Sequence, residues 1–230
     1  MIDFHAHILP CADHGSDSIS TSLKQISLAQ KAGISSIVAT PHFYMNSDSI
    51  DDFIERREKS YNLLTKSMKE YGFNINVYKA SEVSLQVDLF KLKDLKPLCV
   101  EKTNFMLVEM PMDVNWTNWH YNAIDELIAR GIEPIIAHIN RYSTFYLEKL
   151  FQKDILFQVN VEAFKSFSSK LRILNFYKKG YVNLLGSDIH SFCMDSYQTF
   201  DKYRKKYPKI FENSNINAMK ILNSNKKNCE

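Results

Sequence analysis

Met1-Ile2-Asp3-Phe4-His5-Ala6-His7-Ile8-Leu9-Pro10 decides how the rest of the chain reads. The run from Ile2 has the character of a buried strand, and it ends on two histidines spaced i, i+2. Side chains two apart in a strand point to the same side, so His5 and His7 can grip one ion together. The same grammar repeats downstream. Ser36-Ile37-Val38-Ala39 leads into Thr40-Pro41-His42, and Ile75 to Lys79 leads into Ala80-Ser81-Glu82. Phe105-Met106-Leu107-Val108 ends on Glu109. Pro134-Ile135-Ile136-Ala137, with proline only at its first residue, ends on His138. Val182 to Leu185 runs into Gly186-Ser187-Asp188-Ile189-His190. Of seven such strands, only Ile155 to Val161 ends without one of these side chains.

Amphipathic segments lie between the strands. Ser20 to Ala32, Asp51 to Tyr71, Ala123 to Arg130 and Lys170 to Lys179 read as helices, stopped by Gly33, Gly72, Gly131 and Gly180. A short helical stretch falls around Asp88 to Lys96, and two helices close the chain near Tyr197 to Tyr207 and Ile216 to Leu222. Seven β/α units in series predict a parallel sheet with right-handed crossovers. Strands that are apolar without alternation predict burial on both faces. On this pattern a closed or nearly closed β/α barrel and an open doubly wound sheet are both allowed. Neither GxGxxG nor GxxxxGK[ST] occurs, which weakens the nucleotide-binding versions of the open sheet. In either architecture the C-terminal strand ends share one face, and that face carries the chemistry.

The side chains gathered there are imidazoles and carboxylates, the ligands of Mn, Fe or Zn, with no thiolate required. A carboxylate such as Glu82 can bridge two ions. Taken singly, each histidine would be a satisfied core residue and each glutamate a cap. Six of the seven histidines nevertheless fall at or just past strand ends, beside carboxylates. The exception is His120, in Asn115-Trp116-Thr117-Asn118-Trp119-His120, where a structural or rim role is expected. Trp116 and Trp119 follow Glu109 at the active end of the fourth strand and are candidates for a substrate rim, with simple packing as the competing role.

The composition agrees with one domain over residues 1–230. There are 230 residues, 45% hydrophobic and 13% aromatic, without repeats or linkers. Lys+Arg 29 against Asp+Glu 26 gives +3, too mild for a nucleic-acid binder. No apolar run approaches the ~18 residues of a membrane span, and the acidic, base-free N-terminus is not that of a signal peptide. Cys11, Cys99, Cys193 and Cys229 are scattered, which fits reduced thiols in a cytoplasm, and no Cys-x5-Arg loop is present. The tail, about 224–230, has the composition of a solvated end.

The set MIDFHAHILP, Asp13-His14-Gly15, ATPH, SEV, LVEM, IIAHINRY and GSDIH resembles the PHP (polymerase and histidinol phosphatase) superfamily. It is most similar to the PHP-type bacterial protein-tyrosine phosphatases of capsule and exopolysaccharide operons, in order and spacing from residue 1 to about 190. The resemblance implies a distorted seven-stranded (β/α)7 TIM-like barrel and three divalent metal ions, Mn foremost, with Fe or Zn as alternatives. It implies a first ion on His5, His7, Glu82 and Asp188. A second would sit on Glu82, Glu109 and His138, and a third on His14, His42 and His190. Arg141 matches the family's phosphate-binding arginine, and a guanidinium fork suits phosphate oxygens. The implied partner is the phosphotyrosine tail of a cognate bacterial tyrosine kinase that controls polysaccharide export. Three positions depart from the pattern. His14 stands where the family has a second Asp, Asn140 stands where it has Glu, and no arginine follows His190 within a few residues. The alternatives are a histidinol-phosphate or other small-molecule phosphatase, a nuclease, and a phosphotyrosine-binding regulatory module without strong activity.

Overall fold

A computed structural model describes residues 1–112 and 114–224 of the chain. The part of the expected solvated tail from residue 225 on, with Cys229, lies outside the described residues. All strands are parallel. β1 (Ile2–Ala6), β2 (Ser36–Ala39) and β4 (Asn76–Lys79) form one ladder in the order β1-β2-β4. β3 (His42–Phe43), β5 (Glu82–Ser84), β6 (Phe105–Glu109), β7 (Glu133–Ile136), β8 (Leu156–Asn160) and β9 (Leu184–Gly186) form a second ladder in that order.

Among the described residues the two ladders hold nine strands, from seven expected strand regions. The second and third expected strands are each broken in two, at Thr40-Pro41 and at Ala80-Ser81. Proline has no N–H to give the ladder, so the break at Pro41 follows from covalent structure. The chain resumes at once: Glu82 N–H donates to the Pro41 carbonyl at 3.0 Å, and His42 pairs in register with Glu82. The two ladders are thus one curled sheet with a step in it, and the step lifts His42 and Glu82 toward the centre.

The curl brings the first and last strands together. Asp188 N–H donates to the His5 carbonyl at 2.8 Å, and His7 N–H to the Ile189 carbonyl at 3.2 Å. Asp3, fully buried, accepts from the Ser187 backbone at 2.8 Å and the Ser187 hydroxyl at 2.6 Å. At the other end of this seam a helix, α7 (Pro208–Leu222), supplies the missing partners. Its Asn215 accepts from Ile2 N–H at 3.0 Å and its Ser214 from Leu185 N–H at 2.8 Å. Edge amides that would otherwise be buried unpaired are satisfied by side chains, which spares a penalty of about 1–3 kcal/mol each.

Alternate strand residues divide the core into two layers. Phe4, Val38, Leu107, Ile135 and Leu184 form the inner cluster, joined by Ala218 and Ile221 of α7. Ile37, Met106, Val108, Ile136, Val159 and Leu185 face outward onto the helices. These are α1 (Ile19–Lys31), α2 (Ile50–Glu70), α3 (Asn118–Ala129), α4 (Thr144–Leu150), α5 (Phe167–Lys178) and α6 (Ser196–Lys206). Side chains of Ser18, Ser49 and Ser166 cap the starts of α1, α2 and α5. No helix among the described residues is long and apolar enough to cross a membrane. Cys11, Cys99 and Cys193 are free thiols.

Candidate metal centre and active site

The curled sheet delivers its polar residues to one point. β1 is pressed against two glycines. A Cβ on Gly15 would stand 2.0 Å from His7 Cβ, and one on Gly186 would stand 2.4 Å from His5 Cβ. Any other residue at either place would push a histidine out of position. With that clearance, His5 Nε2 and His7 Nε2 lie 3.0 Å apart, and each is 3.1 Å from Glu82 Oε2. Asp188 Oδ1 completes the group at 3.5 Å from His5 and 3.3 Å from His7. Donors held ~2.0–2.1 Å from an ion at the corners of a tetrahedron stand ~3.3 Å from one another, which is this spacing.

The protons on these rings point the same way. His5 Nδ1 faces Gln158 Oε1 at 3.2 Å, and His7 Nδ1 faces Asp13 Oδ2 at 2.7 Å. Both partners only accept, so both Nδ1 atoms carry hydrogen and the neutral rings turn bare Nε2 lone pairs toward each other. Two lone pairs and two carboxylates around one point require a cation. Without a metal that cation is a proton: burial opposes charge on His7, yet Asp13, Asp188 and Glu82 outweigh it and hold its pKa well above the usual range. Burial likewise opposes ionisation of Glu82, but His5, His138 and His7 keep it ionised.

Glu82 faces two ways. Its Oε1 is 2.8 Å from His138 Nε2, which is 3.5 Å from Glu109 Oε1. Its Oε2 is also 3.2 Å from His42 Nδ1, a buried atom that makes no hydrogen bond. One carboxylate therefore joins two donor sets. A third group forms around His42 and His190. Their rings lie 4.5 Å and 4.2 Å from the ring of His7, and one nitrogen from each of the three can come within 4.8 Å of the others. Burial lowers the pKa of His42 to about 3 and of His190 to about 4, so both are neutral and able to donate a lone pair at pH 7. The donor chemistry thus fits divalent ions. His14 is exposed and stacks on His42 and His190 at 4.8 Å and 4.9 Å between ring centroids, over the third group.

Two ligand-type residues are held in strained backbone. His138 has φ +32° and Asp188 φ +49°, the left-handed region, at a cost of about 1–3 kcal/mol each. Each is locked by hydrogen bonds: His138 N–H donates to Gln158 Oε1 at 2.6 Å, and Asn160 Nδ2 donates to Asp188 Oδ2 at 2.7 Å. β8, from the one expected strand region that does not end on His, Asp or Glu, brings these two amides instead. Gln158 and Asn160 escape a search for ligands because they orient ligands. Asp13 escaped for the same reason. It accepts from His7 Nδ1 and, at 2.9 Å, from His42 N–H, and its pKa is held far below the usual carboxylate range because His7 overcomes its burial.

Arg141 sits in a turn just after β7. Its Nη2 donates to Asp188 Oδ2 at 2.5 Å and lies 3.3 Å from Glu162 Oε1. The Arg141 side chain is about one third exposed and lines a cleft of about 250 Å³ with His14, His42, Glu109, Asp188 and His190. Tyr44, Met112 and Phe192 also line it. Trp116 and Trp119 do not, which corrects the expectation of a tryptophan rim. Trp116 is buried: its indole N–H donates to the Pro111 carbonyl at 2.7 Å, and its ring packs on Tyr142 and Tyr146. Trp119 is half-buried, edge-on to His120. The loop after β6 folds back onto its neighbour because the Trp116 indole buries more area against tyrosines than over a polar cleft. His120 caps α3, its Nδ1 accepting from Thr117 N–H at 2.9 Å.

Residues 1–226 match the model of the family described as capsular polysaccharide synthesis, CpsB/CapC. The tyrosine-protein phosphatase CpsB of Streptococcus agalactiae serotype III is 25% identical over 209 residues, covering 83% of each chain. The protein of the same name from Streptococcus pneumoniae is 25% identical over 232 residues, covering 90% of this chain and 91% of its own. Among solved structures, one from a study of YwqE from Bacillus subtilis and CpsB from Streptococcus pneumoniae, unique metal-dependent tyrosine phosphatases, superposes with a TM-score of 0.82 at 21% identity. The match covers 98% of this chain and 95% of that one, so the two share a fold.

Proposed function

The chain belongs to the CpsB/CapC family of capsular polysaccharide synthesis, and from that premise we propose that it is a metal-dependent protein-tyrosine phosphatase. The observation that carries this reading is Glu82, whose two oxygens join the His5–His7–Asp188 group to the His138 group at the floor of a cleft that Arg141 lines. The reading takes the whole chain as one phosphatase domain. Each broken strand counts once in a distorted seven-stranded barrel.

His5, His7, Glu82 and Asp188 would hold one divalent ion, and Glu82, Glu109 and His138 a second. His42, His190 and the overlying His14 would hold a third. Manganese suits the carboxylate-bearing sets, and zinc or iron suits the imidazole-rich one. Such ions, when bound, supply Lewis acidity that activates water and neutralises phosphoryl oxygens. The protein's own groups do the rest. Asp13 and Gln158 hold the hydrogens of His7 and His5 on Nδ1, which keeps their Nε2 lone pairs aimed inward. Asp188 and Glu162 tether Arg141 at the cleft wall with donors to spare, so its fork can meet the charge that develops on the transferring phosphate. The tyrosinate leaving group has a parent pKa near ~10 and needs less acid assistance than an alkoxide. No serine or cysteine nucleophile is required.

The partner we assign is the phosphorylated tyrosine-rich tail of a bacterial tyrosine kinase that controls capsule or exopolysaccharide export, met in the cytoplasm. A comparison of phosphate release from a phosphotyrosine peptide and from histidinol phosphate tests the assignment. The expected result is a kcat/KM for the peptide at least tenfold higher. A preference for histidinol phosphate would move the chain to the small-molecule phosphatases. Release from neither would leave a binding module.

A further inference from the structure

We infer that Tyr44 and Phe192 form an aromatic clamp that grips the phenyl ring of the substrate and sets the preference for aryl phosphate esters. This rests on the phosphatase reading and deepens it. Each of the two residues stands two positions beyond a cleft histidine, His42 and His190. Tyr44 lies nearly parallel to His42, with ring centroids 5.2 Å apart and planes at 21°. Phe192 leans on His190 at 5.0 Å and 33°. The two histidine rings are themselves 6.1 Å apart, and both aromatic residues line the same cleft as Arg141. The arrangement is graded along the cleft. Buried imidazoles and carboxylates occupy the floor, Arg141 the wall, and a phenol and a phenyl ring the approach.

The dimensions and the exposure suit one occupant. At about 250 Å³ the open cleft is on the scale of a single phosphorylated side chain. Phe192 is 77% exposed, so His190 supports one face of its ring while the other is open to a guest. An aryl ester carries its phosphate at the far end of a flat, rigid ring. With the phosphate against Arg141, that ring passes between Tyr44 and Phe192. A phosphoserine side chain is too short to span the same path without drawing its backbone into the mouth. Aromatic contacts of this kind are favoured in offset-stacked and edge-to-face geometry.

Steady-state kinetics on the metal-loaded full chain test the clamp, using Phe192→Ala, Tyr44→Leu and, as the conservative control, Phe192→Tyr. Inorganic phosphate, used as a competitive inhibitor, serves as a probe with no ring. The clamp predicts that each of the first two changes raises KM for a phosphotyrosine peptide about three- to tenfold, with kcat and bound metal unaltered. It predicts that Phe192→Tyr keeps the original KM. The inhibition constant of inorganic phosphate should stay the same throughout. Because Phe192 is exposed, its variants keep the fold. An unaltered KM in Phe192→Ala overturns the clamp alone, as does an inhibition constant that rises in step with KM. Absence of phosphate release by the unaltered chain overturns the phosphatase reading and the clamp with it.

Discussion

The two ends of the parallel sheet follow opposite rules. Where chains enter β2, β4, β7 and β9, the left-handed residues are Gly33, Gly72, Gly131 and Gly180, with φ between 72° and 82°. Glycine adopts that conformation without strain. Where chains leave β7 and β9, the left-handed residues are His138 and Asp188. At the entry end a depression of about 230 Å³ is lined largely by Phe105, Ile128, Ile132, Pro134, Ile155 and Leu156. At the exit end, clusters of His, Asp and Glu lie within 4.8 Å of one another. The entry end obeys local propensity at these four glycines, with Lys102 ahead of β6 (φ +61°) as the exception, and stabilises the fold. The other violates it in conformation and in buried charge, and strain of that kind gathers where function is performed.

The largest effect is expected from the residue that concentrates the violation. Glu82→Gln removes the carboxylate shared by two donor sets, and should cost at least ~10³-fold in kcat/KM together with bound metal. Turnover and elemental analysis of the same preparation check this, and retained metal with retained activity would dissolve the contrast between the ends. Arg141→Ala should follow. Its loss is about 10²–10³-fold in kcat/KM with metal content kept, as for other removed transition-state donors. If metal is lost with it, Arg141 serves by bracing Asp188 instead.

The buried charge can also be read by pH. Burial pulls the pKa of His138 down, but hydrogen bonds to Glu109 and Glu82 prevail and raise it to about 9, above the usual 6.5 of histidine. A raised pKa contributes stability that is full below pH 6.5 and is lost as pH rises through about 9. His7 adds the same sign. His42 and His190, lowered to about 3 and about 4, act oppositely and only below pH 6.5. The metal-free protein should therefore lose on the order of 3 kcal/mol, or several degrees of melting temperature, between pH 6.5 and 9. Metal-loaded protein should not, since ligand imidazoles are already neutral. Parallel melting curves in the two states would contradict the assignment.

Asp13→Asn should weaken metal binding by ~10–100-fold, the usual effect of disturbing a residue that orients a ligand. A metal titration measures it. The smallest effect belongs to the entry end. A Cβ at Gly131 meets nothing within 4 Å, so Gly131→Ala should cost only the left-handed penalty of about 1 kcal/mol and leave kcat/KM within twofold.

Much of this was legible in the sequence. Periodicity located the seven regions of strand, and glycines marked where helices stop, because both signals are local. The exit-end histidines stood out for the same reason: a polar residue closing an apolar run needs an explanation. Residues whose role depends on a distant partner were less legible. Gln158 and Asn160 look like ordinary polar strand residues until His5, His138 and Asp188 are brought to them across the sheet. Asp13 was visible only as part of a motif, and its bonds to His7 and His42 N–H are tertiary. Trp116 was misplaced because its environment, Tyr142 and Tyr146, comes from the next β/α unit. The strand break at Ala80-Ser81 carries no proline, and only its neighbour across the sheet, with Pro41, explains it.

One measurement bears on the central claim most directly. Protein stripped by exhaustive chelation is titrated with manganese, and phosphate release from a phosphotyrosine peptide is followed against bound metal per chain. The account predicts no release at zero metal and a rate that climbs with occupancy to a plateau, with Glu82→Gln flat at the baseline throughout. Full activity of the stripped chain, or a Glu82→Gln curve that overlays that of the unaltered chain, would contradict it.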